Sequence, residues 1–442
     1  MSLTTNKISW IRPKLVAFVI VTGMIGLLLA AESVRIAWAI RLGKSTRTDD
    51  LRRAVSLDPG NPDLHFRLGT AEAFNLEDPD TTDGVEQLQR ATELSPHQTR
   101  YWSSLASACQ FAGKRDCASH AIVRALALSP MAPRIHWEAA NYYLWANRQE
   151  KAFSQFRRLL ELDPSYAGAT FRASVHAAGN PNIVYDTVLT RSAGPKLKLA
   201  YVSFLSSHEY GDSAFQIWEK LAAGKTDFDF SSADPYLEHL IGARKYQEAL
   251  TVWNDLKARG LVPQSGDNSD LIFNGGFEHI PLNAGFDWRY HEEPYVAVDF
   301  ETHQGRAGKR YLRLDFTDVG NHQAEPIYQL VPVRAGQTYV LTAQVRSADI
   351  VSDSGPRLRV TDPGCPECLT ASTGAIVGTT PWHQITLRFR TGPQTSAVRV
   401  SIWRARSLGY PTEILGSLLV DQVSLRPDAP VTAQVDKKGG TS

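Results

Sequence analysis

The chain has 442 residues, enough for two or three domains, and its 21% charged and 10% aromatic residues are an ordinary globular balance. Its formal net charge is +1, so no global field would hold it on nucleic acid or an acidic surface. With no basic run interleaved with aromatics either, nucleic acid is not an expected partner.

The first element is apolar. "LVAFVIVTGMIGLLLAA", Leu15 to Ala31, carries no charge and lies at the short end of the roughly 17–25 residues that a membrane-spanning helix needs. Pro13 precedes it, where a helix start tolerates proline. Lys7, Arg12 and Lys14 favour a cytoplasmic N-terminus, although Arg35, Arg41, Lys44 and Arg47 follow the run and blur the bias. The small residues of "LLLAAES" also suit a signal-peptide cleavage site, so an uncleaved signal anchor over 15–40 and a cleaved signal are both open. Either places the bulk of the chain on the extracytoplasmic (periplasmic) side. Four cysteines fit an oxidising compartment.

A repeat follows. "LDP" or "LSP" stands at Leu57–Pro59, Leu94–Pro96, Leu128–Pro130 and Leu162–Pro164, which spaces the prolines by 37, 34 and 34 residues. Between them, small residues (Gly69, Ala106, Ala118, Ala140, Ala152) recur where two antiparallel helices must approach closely, and proline ends the second helix because it lacks an amide hydrogen. The 34-residue period and this pattern closely resemble tetratricopeptide (TPR) repeats over about 120 residues. Trp218 and Trp253 continue the spacing, and residues 45–262 are expected to form five or six stacked hairpins. Such an array implies a protein partner on its concave face, with Arg67, Ser104 and Asn141 as candidates or else as ordinary solvated surface. His65, His136, Trp102, Phe156, Trp218 and Trp253 sit at repeat positions and read as packing.

Beyond a polar linker, 263–269, the period changes from 3.6 to 2. "KRYLRLDF", "QTYVLTAQVRSA", "HQITLRFRT" and "AVRVSIWRA" alternate, with Leu312, Leu314, Phe316, Tyr339, Leu341, Ala343 and Val345 inward. The fold class is therefore α followed by β: an N-terminal transmembrane helix, a TPR-like solenoid and an antiparallel β-sandwich over 270–427, with 1–14 cytoplasmic and 428–442 a disordered tail. "LIFNGGFE", "YQLVPVRAGQTYVLTAQVRS", "PWHQITLRFRT" and "LLVDQVSL" resemble the jelly-roll carbohydrate-binding modules of the galactose-binding-like type. In the opening piece, Asn274-Gly275-Gly276 is read as a tight turn needing free backbone geometry, with Phe277 dropping into the core.

The resemblance implies side-by-side first and last strands whose Glu278 and Asp421 help hold a structural calcium, or merely cap turns. It also suggests a sugar platform. Alternation puts Thr342, Gln344 and Arg346 on the non-core side of one strand, Arg357 and Arg359 on another, and Arg399, Ser401 and Trp403 on a third. An exposed tryptophan beside arginines would suit an acidic glycan; the alternative is a solvated or covered sheet face. Cys365 and Cys368 form a Cys-Pro-Glu-Cys turn, read as a local disulfide or free thiols and not as zinc ligands.

No nucleophile elbow, HExxH, phosphate loop or dinucleotide fingerprint is present. Glu292 and Glu293 are adjacent and would face opposite sides of an extended segment, a poor acid/base pair. The expected function is a non-catalytic membrane-anchored adaptor whose solenoid docks a protein and whose sandwich binds a glycan or envelope component, in bacterial polysaccharide assembly or export. The alternatives are a protein scaffold that binds no sugar and, more remotely, a glycan-modifying enzyme.

Overall fold

A computed structural model describes residues 11–75, 81–190, 193–224, 227–264, 270–302 and 310–428. The chain before Ile11, linker residues 265–269 and the expected disordered tail beyond Asp428 lie outside them. Among the described residues, fourteen α-helices precede ten β-strands, and the chain divides into two compact units, Met1–Ala193 and Gly194–Ser442.

Unit one opens with α1 (Ile11–Leu42). Its stretch Leu15–Leu42 is long and apolar enough to cross a membrane, and its apolar side chains are exposed. The last turns are different: Ala39 is fully buried in a small cluster with Ala54 and Leu64. A Cβ on Gly43 would meet Leu64 Cδ2 at 2.4 Å. The apolar helix is thus packed at its end against α2 (Thr48–Leu57) and α3 (Pro62–Ala73), with only the short turn 43–47 between α1 and α2. Hairpins follow, formed by α3 with α4 (Thr81–Leu94), α5 (Thr99–Phe111) with α6 (Arg115–Leu128), α7 (Pro133–Trp145) with α8 (Gln149–Leu162), and α9 (Ala167–Ala178) with α10 (Pro181–Thr187).

The small residues lie where the helices touch: Ala106, Ala118, Ala140 and Ala152 are buried, and a Cβ on Gly69 would lie 2.8 Å from Gly84 O. The sixth residue after each of the first three repeat prolines ties back to that proline's carbonyl. His65 Nε2 lies 3.0 Å from Pro59 O, His136 Nε2 lies 3.0 Å from Pro130 O, and Trp102 Nε1 donates to Pro96 O at 2.9 Å. At the fourth such position Thr170 is fully buried and its hydroxyl has no partner among the described residues, so the device ends there. A disulfide, Cys109–Cys117, joins α5 to α6.

Unit two begins with α11 (Pro195–Ser206), α12 (Gly211–Ala223), α13 (Phe230–Gly242) and α14 (Tyr246–Ala258). Trp218 and Trp253 are buried, as their repeat positions require. Trp253 also packs edge-on against Phe273 (5.2 Å between centroids) and Phe286 (6.1 Å). Gly285, at φ +57°, leaves room for that ring, since a Cβ there would lie 2.3 Å from Trp253. Glu238 of α13 pairs with Arg289 at 2.6 Å. These contacts explain why the last two hairpins group with the β-region; the last described helix ends at Ala258 and the first described strand begins at Arg289.

The β-region is two five-stranded antiparallel sheets. The first has the order β1 (Arg289–Tyr290), β4 (Ala324–Pro332), β9 (Ala397–Arg404), β6 (Arg357–Thr361), β7 (Thr370–Ser372). The second has β2 (Val296–Thr302), β3 (Arg310–Asp318), β10 (Ile414–Pro427), β5 (Thr338–Val351), β8 (Gly378–Arg390). Their inward residues form one core, which includes Leu312, Leu314, Phe316, Tyr339, Leu341, Ala343 and Val345 as the alternation predicts.

The opening stretch departs from expectation: residues 271–276 form bends and turns and 277–278 are irregular, so no strand forms there. They are held by Leu271 N–H donating to Leu425 O (3.1 Å), Val423 N–H donating to Gly275 O (2.9 Å), and Gln329, whose amide bonds both Phe273 N (3.0 Å) and Phe273 O (2.8 Å). The left-handed residues are Asn274 and Phe277, both at φ +52°, rather than the glycines. Gly275 is dictated by close approach, because a Cβ there would lie 1.9 Å from Val423 O. Phe277 does drop into the core, against Trp288, whose Nε1 donates to Asn274 O at 3.1 Å.

Candidate functional site

On β9, Val398, Val400 and Ile402 enter the core, so Arg399, Ser401 and Trp403 lie on the outer face of the first sheet. On β6 the same alternation turns Arg357 and Arg359 outward. The register sets Arg357 opposite Trp403, and Arg359 opposite Ser401, which in turn faces Tyr328 of β4. Five of the expected side chains are thus brought together.

Their arrangement is not a bare aromatic platform. Arg359 Cζ lies 4.6 Å from the Trp403 ring centroid and Arg357 Cζ 5.6 Å, so two guanidiniums lie over the ring. Trp403 is half-buried, not exposed. Beside it Arg399 Cζ sits 4.2 Å over Tyr328, and Arg399 Nη1 pairs with Glu325 at 3.2 Å. Several polar atoms here are buried and have no hydrogen-bond partner among the described residues: the Nε of Arg357, Arg359 and Arg399, Trp403 Nε1, Ser401 Oγ and Glu325 Oε1.

Thr342, Gln344 and Arg346 do not join this set. They lie on β5, in the second sheet, whose outer face points the opposite way. Alternation tells which side of a strand a residue takes but not which sheet the strand enters. Thr342 and Gln344 instead line a pocket of about 400 Å³ with Asp270, Gly276, Glu278 and Gln384. Asp421 borders it: a Cβ on Gly276 would lie 3.6 Å from Glu278 Oε1 and 3.9 Å from Asp421 Oδ1. Two carboxylates on one glycine are a hard oxygen donor set of the kind calcium takes, with further ligands needed from carbonyls. Among the described residues no cluster of three or more His, Cys, Asp or Glu could hold a metal.

Cys365 and Cys368 form a disulfide in the β6–β7 loop. Asp362 fixes that loop, accepting from Gly364 N (2.7 Å), Cys365 N (3.2 Å) and Thr395 Oγ1 (2.6 Å). Glu293 accepts from Glu325 N (3.0 Å) while Glu292 is exposed, so the adjacent carboxylates do not converge. In unit one Arg67 is exposed, Ser104 is half-buried, and Asn141 donates to Trp137 O within its own helix (2.8 Å). Tyr328 and Glu325 escaped the sequence reading, although the outward parity of Tyr328 in "EPIYQLV" was a usable signal.

No protein-family model matches the chain, and no curated protein does. Several solved structures are similar to parts of it. A CBM4 module is 16% identical over 36% of this chain and 99% of its own, with a TM-score of 0.26. TmCBM61, solved with β-1,4-galactotriose, is 17% identical over 36% of this chain and 99% of its own, with a TM-score of 0.25. YrrB, a TPR protein with an unusual peptide-binding site, is 13% identical over 39% of this chain and 81% of its own, with a TM-score of 0.28.

Proposed function

We propose that the chain is a non-catalytic adaptor anchored in a membrane by α1, with its bulk on the extracytoplasmic (periplasmic) side. Its helical repeats dock a protein partner, and its sandwich contacts a glycan or another envelope component. The observation that carries this reading is the junction at Ala39 and Gly43, where an exposed apolar helix ends in buried contact with the first repeat helices, so anchor and array are one piece. Bonding of all four cysteines supports the oxidising side. Service in bacterial polysaccharide assembly or export is part of the proposal and rests on the pairing of such domains alone.

Glu278 and Asp421 would hold a structural calcium that pins the opening turns to β10. Chelation should then lower the unfolding temperature of the sandwich, reversed by added calcium; an unchanged temperature removes the metal from the account.

The test of the main reading is cell fractionation with photocrosslinking. The full chain should resist carbonate extraction, and a crosslinker at Arg67, Ser104 or Asn141 should trap one discrete protein. A full chain in the soluble fraction would contradict the anchor. The second reading, a scaffold that binds no sugar, is favoured by one observation: guanidiniums cover both Trp403 and Tyr328, which leaves little bare ring for a pyranose.

A further inference from the structure

The outer face of the first sheet concentrates groups that the protein leaves unpaired. Among the described residues, three guanidinium Nε atoms, one indole N–H and the hydroxyl of Ser401, a residue 1% exposed, have no hydrogen-bond partner. Buried polar atoms are normally satisfied, and each orphan costs about 1–3 kcal/mol in general. Six such atoms on one face, with Glu325 Oε1 included, call for a common cause. Arg399 has Glu325, but among the described residues no carboxylate pairs with Arg357 or Arg359. The face thus carries three arginines against one glutamate.

The donor types narrow the ligand. Guanidinium and indole N–H groups only donate, so the partner must offer acceptors, and cations without counter-charge favour an oxyanion. Glu325 Oε1, the one of these groups that only accepts, asks for a hydroxyl. A ligand bearing both an oxyanion and hydroxyls meets both needs, and an acidic saccharide is such a ligand. The covered rings fit the same ligand. In the free protein Arg357 and Arg359 rest on Trp403, which keeps two unpaired charges from facing each other openly; an arriving oxyanion would draw them off the ring and leave the indole for the sugar.

We propose that Arg357, Arg359, Ser401 and Trp403 form an oxyanion-selective saccharide site, with Arg399 and Glu325 at its edge. The proposal rests on the reading of the sandwich as the ligand-binding part and names the class of ligand. The anionic group is a carboxylate of a uronic acid or a sulfate ester on a sugar, two sources of one chemistry.

Calorimetric titration of the full chain in detergent micelles tests it. The probes are trigalacturonic acid, its methyl ester, a sulfated oligosaccharide and inorganic sulfate. One of the two acidic saccharides should bind, identifying the source, and binding should weaken as salt rises. The corresponding neutral ester and free sulfate should bind at least tenfold more weakly. Arg359→Gln and Arg357→Gln should each weaken binding roughly tenfold to a hundredfold. Arg359→Lys should not restore it, because lysine lacks the planar fork. An unchanged thermal midpoint in these variants separates lost binding from lost fold. Equal binding of the ester would overturn the oxyanion site while leaving a glycan-binding sandwich in place. Inorganic sulfate binding as tightly as the saccharide would overturn the saccharide part. No binding of any saccharide would overturn the proposal and the glycan reading together.

Discussion

The repeats of unit one and the outer face of the first sheet treat polar side chains in opposite ways. His65, Trp102 and His136 recur at one repeat position and each reaches the carbonyl of its own repeat's proline, so the polar atoms are absorbed into the architecture. Arg357, Arg359, Ser401 and Trp403 also occupy regular positions, opposite one another across two strands, yet retain buried atoms with no partner. Regular placement alone therefore does not separate structure from function. The two sets differ in the state of their hydrogen bonds, although a buried hydroxyl without a partner among the described residues also occurs within the repeats, at Thr170.

The largest expected effect concerns neither set but the turn that closes the sandwich. Gly275→Ala would drive a Cβ to 1.9 Å from the Val423 carbonyl, which is backbone and cannot yield cheaply. A loss of about 3 kcal/mol or more is expected from that overlap. Thermal unfolding should show it in the β-region, and a wild-type midpoint would mean that the turn is not held as described.

The next effect bears on the comparison itself. His136→Ala removes contacts to both Gln155 (2.7 Å) and Pro130 O, and should cost about 1–3 kcal/mol. Thr170→Val, at the equivalent place one repeat on, removes an unpartnered buried hydroxyl and should be neutral or stabilising. Denaturant titration of the two variants decides; equal losses would show that the repeat position does not depend on its hydrogen bond.

Much of this was legible beforehand, and the limits have physical causes. Proline spacing exposes the repeats because each repeat proline follows the last turn of a second helix, where its missing amide hydrogen stops the helix from continuing. Period-2 alternation separated core from surface on β3, β5, β6 and β9. It cannot assign strands to sheets, because that depends on long-range pairing, and so it does not reveal that Gln344 and Arg346 lie on the face opposite to Trp403. Asn274 and Phe277 took the left-handed geometry expected of the glycines, because Gly275 is needed for the approach of Val423. The grouping of α13 and α14 with the sandwich depends on Trp253 meeting Phe273 and Phe286, which no repeat pattern encodes.

A smaller effect separates the units by pH. Burial, reinforced by Asp83 and opposed by Arg52, pushes Glu72 of unit one up to about 7. Burial likewise pushes Asp287 of the sandwich up to about 6, against hydrogen bonds from Leu282, Trp288 and Asn274. A carboxyl raised on folding favours the fold in acid. Its contribution is full below the unfolded value, about 4 for either residue type, and is lost as pH rises through the folded value. The Asp287 contribution should be gone just above pH 6 and that of Glu72 just above pH 7. Hydrogen exchange read segment by segment should show this order, and Glu72→Gln should flatten the dependence in unit one alone. An unchanged slope in that variant would remove Glu72 from the account.

The most direct test of the central claim, that this chain joins a membrane anchor and a protein-docking array to a sandwich that reads acidic glycans, is a glycan array. The full chain in detergent micelles would be screened against neutral and acidic bacterial polysaccharides, beside Trp403→Ala. Binding confined to acidic glycans and lost in the variant is the predicted result. Binding that survives the variant, or no binding to any glycan, would contradict it.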